Sequence, residues 1–536
     1  MVSLSQKEHR RKHAAHAQQE DENDPNSEYQ QSAHTPHEDE ALREALRQTI
    51  LDPDMQGFDK KRAAADLIRQ HLLERGALYR TADGPLFFFS HRECRLYDLE
   101  QPPFTRLLIE ASGLSTTETF FNFAVDTLTA HVARRGTLVE VHTLSDYDVQ
   151  TKVLTVSNGG GGVWRREPHG EWREGKNGDG GILFFTEPDA TPWEPDFATT
   201  ENMDWLFKQI NFRPAPLSVA EQQVFFEVWL LHQFFPPLRR TRAIPAWLGP
   251  QGSGKSTTCR LIGRFLVGEA FEVTGLRKEK EDAFVAALTH RVVHAIDNAD
   301  TRVSWLEDAL ALYATGEVFR LRKLYTTNEE VSYRPQAILM LTSRDPHFQR
   351  VDVSQRLLPF QLQEIGEFQD EPSIFAELSR RRNRLWGAWL EQLARVQDGL
   401  LDTPSPKLPF RMADYAAFGW RVLQPRGLGS GWIELLKRLE AAQMRFAVGG
   451  EALVRALGIL MEVQEQIGPC SVRELYTRLV DIADANGLAL PKTAEWFGRK
   501  LTALKGVIEA ELHVVFIDVH GHEGKRWITL IKKEAQ

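Results

Sequence analysis

The octapeptide Gly249-Pro250-Gln251-Gly252-Ser253-Gly254-Lys255-Ser256 constrains the fold of this chain more than any other stretch. It matches G-x-x-x-x-G-K-[ST] in full, and Thr257 follows it. An apolar segment, 244–248, precedes the loop, and the amphipathic segment 257–266 follows it. That strand–loop–helix context is the one in which the motif has chemical meaning. Glycines let backbone N–H groups close around phosphates, and the helix N-terminus adds its positive dipole. In such a loop the lysine neutralises β/γ-phosphate charge and the serine hydroxyl ligates Mg²⁺. The cofactor-binding set is therefore Gly249 to Thr257, for ATP with Mg²⁺.

Such a site needs an acid on a neighbouring strand. The mostly apolar segment 291–297 ends in Asp297, which can hold the metal through water. The alternative for Asp297 is a turn or helix-cap residue. Asn298 follows, and an amide has no charge with which to draw a proton from water. Either Asp300 or a more distant carboxylate takes that part, or hydrolysis is slow.

Around the loop, apolar strands alternate with helical segments as far as residue 362, a rhythm that means a parallel sheet with helices on its faces. Ser218-Val219-Ala220-Glu221 reads as a capping box opening the helix before the first strand. Residues 1–45 are polar and almost free of large apolar side chains, so they read as a disordered tail. The cluster His9, Arg10, Arg11, Lys12, His13 and His16 within it reads as solvated, with phosphate or metal contact as the alternative. Residues 46–200 read as an α/β module with a helix over 120–135 and strands over 138–141, 151–156 and 182–185. The glycine runs 159–162 and 175–181 read as hairpin turns. Asp146 and Asp148 read as turn residues, since no further acid or Ser-x-His follows to complete a polymerase-type metal site.

Residues 205–370 form the ATPase core, and 371–445 a helical segment with a basic helix from Arg380 to about Val396. A last unit, 446–536, has a second capping box at Ser471-Val472-Arg473-Glu474, a helix over 491–504 and two terminal strands. At 536 residues the chain has room for several domains. A net charge of −9 excludes a protein coated in positive charge, but not a local basic strip. Cys94, Cys259 and Cys470 stand too far apart for a zinc motif or disulfide framework, and no apolar run reaches the length of a membrane span. A reducing cytoplasm is the simplest location.

With these motifs placed, residues 248–362 resemble the superfamily 3 helicase branch of AAA+ ATPases, as found in primase–helicase proteins of phages, plasmids and integrated elements. The glycine loop and the strand ending in Asp297 supply the first two motifs. Residues 315–330 supply the third, and the strand 337–341 ending in Thr342-Ser343, followed by Val353-Ser354-Gln355-Arg356, the fourth. Phe410-Arg411-Met412-Ala413-Asp414-Tyr415-Ala416 with Gly419 extends the likeness.

The resemblance implies a P-loop AAA+ core, an N-terminal α/β module, a helical segment and a C-terminal winged-helix-like domain. It implies a DNA motor working as a ring-shaped homo-oligomer, a hexamer. Arg320 and Arg322, with Lys323, would lie on a hairpin facing the pore, where alternation puts the two arginines on one face. Their alternative is ion pairing with Glu329 and Glu330. Ser343, with Thr342, stands where the family senses the γ-phosphate with an Asn. Arg356 fits an arginine finger reaching a neighbouring subunit, with Arg344 and Arg350 as weaker candidates. Lys492, Arg499 and Lys500 would face DNA from the winged helix, while Phe497, Leu501 and Leu504 face its core. Residues 451–536 carry 11 Lys+Arg against 12 Asp+Glu, so a protein-docking winged helix stays open. No primase centre is recognisable.

Overall fold

The computed structural model describes the chain apart from residues 1–35, 199–201, 277–280, 300–302, 323–329, 345–349, 367–369, 405, 409, 450, 451, 487, 489, 521–525 and 534–536. The basic cluster at His9–His16, Asp300 and Lys323 therefore lie outside the described residues. The chain divides into two compact units: one of residues up to Gly76 with Glu100–His131, the other of Ala77–Leu99 with Val132 onwards.

The first unit is helical. It contains Pro36–Leu51, Gly57–Arg75, Pro102–Ser112 and most of Thr119–Arg135. Residues 36–45, expected to belong to the tail, start the first of these helices. The reason is local: Leu42 and Leu46, four apart on one helical face, are buried. Asp39 on the same helix accepts from Arg75 at 2.6 Å and meets His71 at 3.1 Å.

In the second unit, the strands Ser145–Tyr147, Leu154–Ser157, Gly162–Arg166 and Trp172–Lys176 form an antiparallel meander. Its Gly159–Gly162 turn is the hairpin expected, held by the Asn158 side chain, which accepts from the N–H groups of Gly160 and Gly162. The 175–181 run is not a hairpin. Asp179 accepts from the Lys176 N–H at 2.6 Å and turns the chain away from the meander, into the strand Leu183–Phe184. That strand pairs in parallel with Val141–His142. Asp148 is a turn residue, accepting from Gln150 and Thr151, but Asp146 sits within a strand.

The nucleotide core begins with helix α1 (Val219–His232). Its capping box is complete: Ser218 N–H donates to Glu221 at 2.8 Å, and Glu221 N–H donates to the Ser218 hydroxyl at 3.3 Å. Then follow β1 (Ile244–Leu248), α2 (Lys255–Leu266), β2 (Thr274–Gly275), α3 (Glu281–His290), β3 (Val293–Asp297), α4 (Leu306–Thr315), the hairpin β4 (Phe319–Arg322) and β5 (Glu330–Tyr333), β6 (Ile338–Ser343) and β7 (Leu357–Gln361). Five strands make one parallel sheet in the order β2-β3-β6-β1-β7. Both faces are covered, which is why its strands read as continuous apolar runs. In β1, Ile244, Ala246 and Leu248 enter one core, while Trp247 enters the other and stacks on Phe360 at 4.8 Å.

Helix α5 runs from Glu371 to Asp402, about 48 Å at 1.5 Å per residue. It is twice the length read from its basic stretch, and Asp370 caps it by accepting from Ser373 N–H at 3.0 Å. Helices α6 (Ala413–Leu423) and α7 (Gly429–Gly449) follow. The last segment runs α8 (Ala452–Glu462), β8 (Gln466–Ser471), α9 (Val472–Ala485), α10 (Ala494–Ala503), α11 (Lys505–Glu511), β9 (Val514–His520) and β10 (Arg526–Lys532). Its three strands are antiparallel in the order β8-β10-β9. Strand β8 was not foreseen in the sequence.

Candidate active site

Parallel strands bring their C-terminal ends to one edge of the sheet, and the glycine loop leaves β1 at that edge. Each glycine there has a steric cause. A Cβ on Gly249 would lie 2.5 Å from the Leu362 carbonyl oxygen, and Gly254, at φ +81°, caps α2 in the left-handed region. The Lys255 ammonium is folded back onto its own loop, donating to the carbonyls of Gly249 at 2.8 Å and Pro250 at 2.7 Å.

The acid expected on a neighbouring strand is in place. Asp297 ends β3, two strands from β1, with β6 between them. Its Oδ1 accepts from the Ser256 hydroxyl at 2.7 Å and from the Thr342 hydroxyl at 2.7 Å. Thr342 in turn accepts the Asn298 N–H at 2.9 Å. Of the Thr342-Ser343 pair, Thr342 is the residue that bonds Asp297. A signal for this existed: in a sheet of this order the middle strand must end beside both the loop and the acid.

Asn298 sits at φ +55°, a conformation that Asn tolerates better than Glu, and its side chain is exposed at the sheet edge. Backbone geometry thus gives an independent reason for Asn at this position. Beyond the loop, Thr257 donates to Glu371, and Arg260 meets Glu371 at 3.5 Å and Glu272 at 2.8 Å. Sequence reasoning missed Glu371, which ties the phosphate-loop helix to the start of α5. Among the described residues no group of three His, Cys, Asp or Glu could hold a metal. One carboxylate beside one hydroxyl suits Mg²⁺, which keeps several waters and takes further oxygens from phosphates.

Residues 203–431 match the family model described as actinomycete integrative conjugative element replication protein. The match bears out the likeness to mobile-element replication proteins, over a little under half of the chain. No curated protein matches the sequence. Among solved structures, the chain is similar to the C-terminal region of NrS-1, at 11% identity and a TM-score of 0.36, covering 87% of this chain and 99% of that one. It is also similar to the SCCmec type IV Cch helicase, at 11% identity and a TM-score of 0.39, covering 85% and 92%. A third, JCV helicase, matches at 14% identity and a TM-score of 0.21, covering 46% and 70%. At those TM-scores the three structures carry no weight for function.

The remaining residues expected at functional sites fall in several places. Hairpin β4–β5 is present, with Arg320 opposite Ser332 and Arg322 opposite Glu330. Arg356 lies just before β7, at the edge of the sheet away from the loop. β1 separates the two edges by about 13 Å, from four residues at 3.3 Å each. Arg356 donates to the Ala311 carbonyl at 3.3 Å, and burial, followed by the charge of Arg411, holds its pKa below the usual value. Arg350 is engaged by Asp308 and, at 2.7 Å, by Asp352, whereas Arg344 is exposed at the loop edge.

In the C-terminal segment Phe497 and Leu501 are buried and Leu504 packs against them. Lys492 and Arg499 are exposed and Lys500 is half-buried. The outer face of β9 is apolar: Val515, Ile517 and Val519 are exposed, with Trp527 opposite Val519. Among the described residues, no helix is long and apolar enough to cross a membrane.

Proposed function

We propose that this chain is an ATP-hydrolysing DNA helicase or translocase of the superfamily 3 AAA+ type, working as a ring-shaped oligomer in replication of a mobile element. One observation carries the reading: the hydroxyls of Ser256 and Thr342 converge on a single oxygen of Asp297 beside the Lys255 loop. The sheet order, with β6 between the strand that leads into the loop and the strand that ends in the acid, supports that reading.

Ser256 and Asp297 would hold Mg²⁺, and the metal supplies charge neutralisation for the transferring phosphoryl group. The loop amides of residues 252–256 orient the phosphates, and Lys255 leaves its loop carbonyls for phosphate oxygens. Thr342 fixes the rotamer of Asp297. Arg356, remote from its own chain's loop, is suited to a neighbouring subunit's site. The topology of residues 452–532, four helices with β8-β10-β9, supports a winged helix, with Lys492 and Arg499 toward phosphates.

Unwinding of a forked duplex under Mg-ATP tests this reading. Wild type is expected to separate strands, and removal of Mg²⁺ with EDTA to stop it. Arg322→Ala is expected to keep at least about half of the ATP turnover while losing strand separation, because one cationic phosphate contact is removed without touching the nucleotide site. Equal loss of both would mean that β4 acts in folding and not on DNA.

A second test isolates Thr342. Thr342→Val preserves shape but removes the hydroxyl behind the metal-side carboxylate. Turnover should fall about 10- to 100-fold, the usual cost of losing a partner behind a metal ligand. ATP binding without Mg²⁺, followed by a fluorescent analogue, should stay within about twofold. If turnover is unchanged, Asp297 needs no orienting partner. A second reading, a nucleotide-switched DNA-binding or defence-type AAA+ ATPase with little or no unwinding, is favoured by the uncharged, exposed Asn298. ATP-dependent DNA retention without strand separation would select it.

A further inference from the structure

At the sheet edge opposite the glycine loop, a cavity of about 350 Å³ is lined by Leu144, Asp146, Arg239, Arg242, Arg334 and Ile338, among others. Its chemistry is unusual. Arg239 is only 7% exposed, and Arg242 is half-buried with its Nε out of reach of solvent. The Nε atoms of both are buried without a hydrogen-bond partner. Arg239 donates to the neutral side chain of Gln233, and Arg242 to the Pro335 carbonyl at 2.5 Å, with its guanidinium 5.2 Å from the Tyr313 ring. Neither has a carboxylate partner among the described residues.

The nearby acids are otherwise occupied. Asp414 accepts the amide and hydroxyl of Thr241, at 2.7 and 3.0 Å, between the two arginines. Asp146 lies 3.8 Å from His142, and burial pushes its carboxyl pKa up, which weakens it as a counter-charge. Glu140, also on the cavity wall, is exposed. Burial first, and then the charge of Arg242, push the Arg239 pKa down to about 10. Taking like charges out of water is costly unless an opposite charge meets them. Arg334, exposed on the same wall, adds a third cation.

We propose that Arg239, Arg242 and Arg334 form a second oxyanion site, separate from the glycine loop, for the phosphate group of a small molecule. The enclosure of Arg239 favours a small phosphate over a DNA strand, whose backbone needs an exposed basic track. The guanidinium fork suits phosphate oxygens, which it meets with paired N–H donors. Because the two edges are separated by the length of β1, one pyrophosphate cannot occupy both sites.

Calorimetric titration of the full chain with pyrophosphate, in the Lys255→Ala background, tests the site. Binding is expected to survive Lys255→Ala and to weaken roughly 10- to 100-fold on adding Arg239→Gln, the span for a lost hydrogen bond to a charged group. Arg334→Ala, at an exposed position that folding does not need, is expected to weaken it less. This second variant keeps the test valid should Arg239→Gln fail to fold, which circular dichroism reports. Phosphate and ribose 5-phosphate as further probes separate a free anion from a sugar phosphate. The proposal is overturned if pyrophosphate binding disappears with Lys255→Ala, or is unmoved by both arginine variants. It is also overturned if single-stranded DNA displaces pyrophosphate, since the surface then belongs to a nucleic-acid backbone. None of these outcomes depends on helicase activity.

Discussion

Lys255→Ala is expected to lower DNA-stimulated ATP turnover by at least about 100-fold, the scale on which removing one preorganised charge from a phosphoryl-transfer site acts. The fold asks little of the ammonium. Its loop contacts include two backbone carbonyls, of Gly249 and Pro250, at the protein surface. Losing them should change folding stability by no more than about 1 kcal/mol, as for most substitutions outside a core. Ser256, Thr342 and Asp297 keep their mutual hydrogen bonds in the variant, so the metal side of the site survives. The expected signature is lost turnover with an unshifted melting temperature for the nucleotide-free protein, read by phosphate release and differential scanning calorimetry. Retention of a third or more of wild-type turnover would remove Lys255 from phosphate neutralisation, and with it the proposed chemistry.

What the sequence made legible follows from how local each constraint is. The glycine loop is local: phosphate chemistry, backbone freedom and strand–helix context all sit within about 25 residues. The capping boxes at Ser218 and Ser471 are local too, and both form as read. Asp297 was legible because a carboxylate closing an apolar strand, downstream of a phosphate loop, stands where the metal needs an oxygen. Thr342 was named only with Ser343 as a sensor, since its bond to Asp297 depends on strand order, and 45 residues separate the pair. The cationic cavity was not legible at all. Arg239 and Arg242 look like solvated residues until Pro335, Tyr313 and the strand bearing Asp146 close around them. The N-terminal helix was hidden by averaging: a polar composition masks two leucines at helical spacing.

Helix α5 shows the same limit most sharply, and it carries the largest stability effect. Its Arg380-Arg381-Arg382 run reads only as the start of a basic helix. Yet Arg382 is buried, donating to the carbonyls of Phe265 at 3.0 Å and Thr191 at 2.6 Å. One turn on, Trp386 is fully buried, stacked on Trp193 at 3.8 Å and on Phe265 at 4.8 Å. Trp386→Ala is therefore expected to destabilise the second unit by about 3–5 kcal/mol, the range for deleting a buried large aromatic. Trp386→Phe should cost far less, about 1–2 kcal/mol, because the stack is kept and only a net hydrogen bond and part of the ring are lost. The Phe265 carbonyl, which accepts the indole N–H at 3.1 Å, still has Arg382 in the phenylalanine variant. Urea denaturation followed by circular dichroism reads the difference as an ordered series of midpoints. Nucleotide affinity below the transition should stay within about threefold, since Trp386 lies 15 residues, or about 22 Å, along α5 from Glu371. A midpoint for Trp386→Ala equal to wild type would mean that the Trp193–Trp386–Phe265 stack does not hold α5 against the nucleotide core.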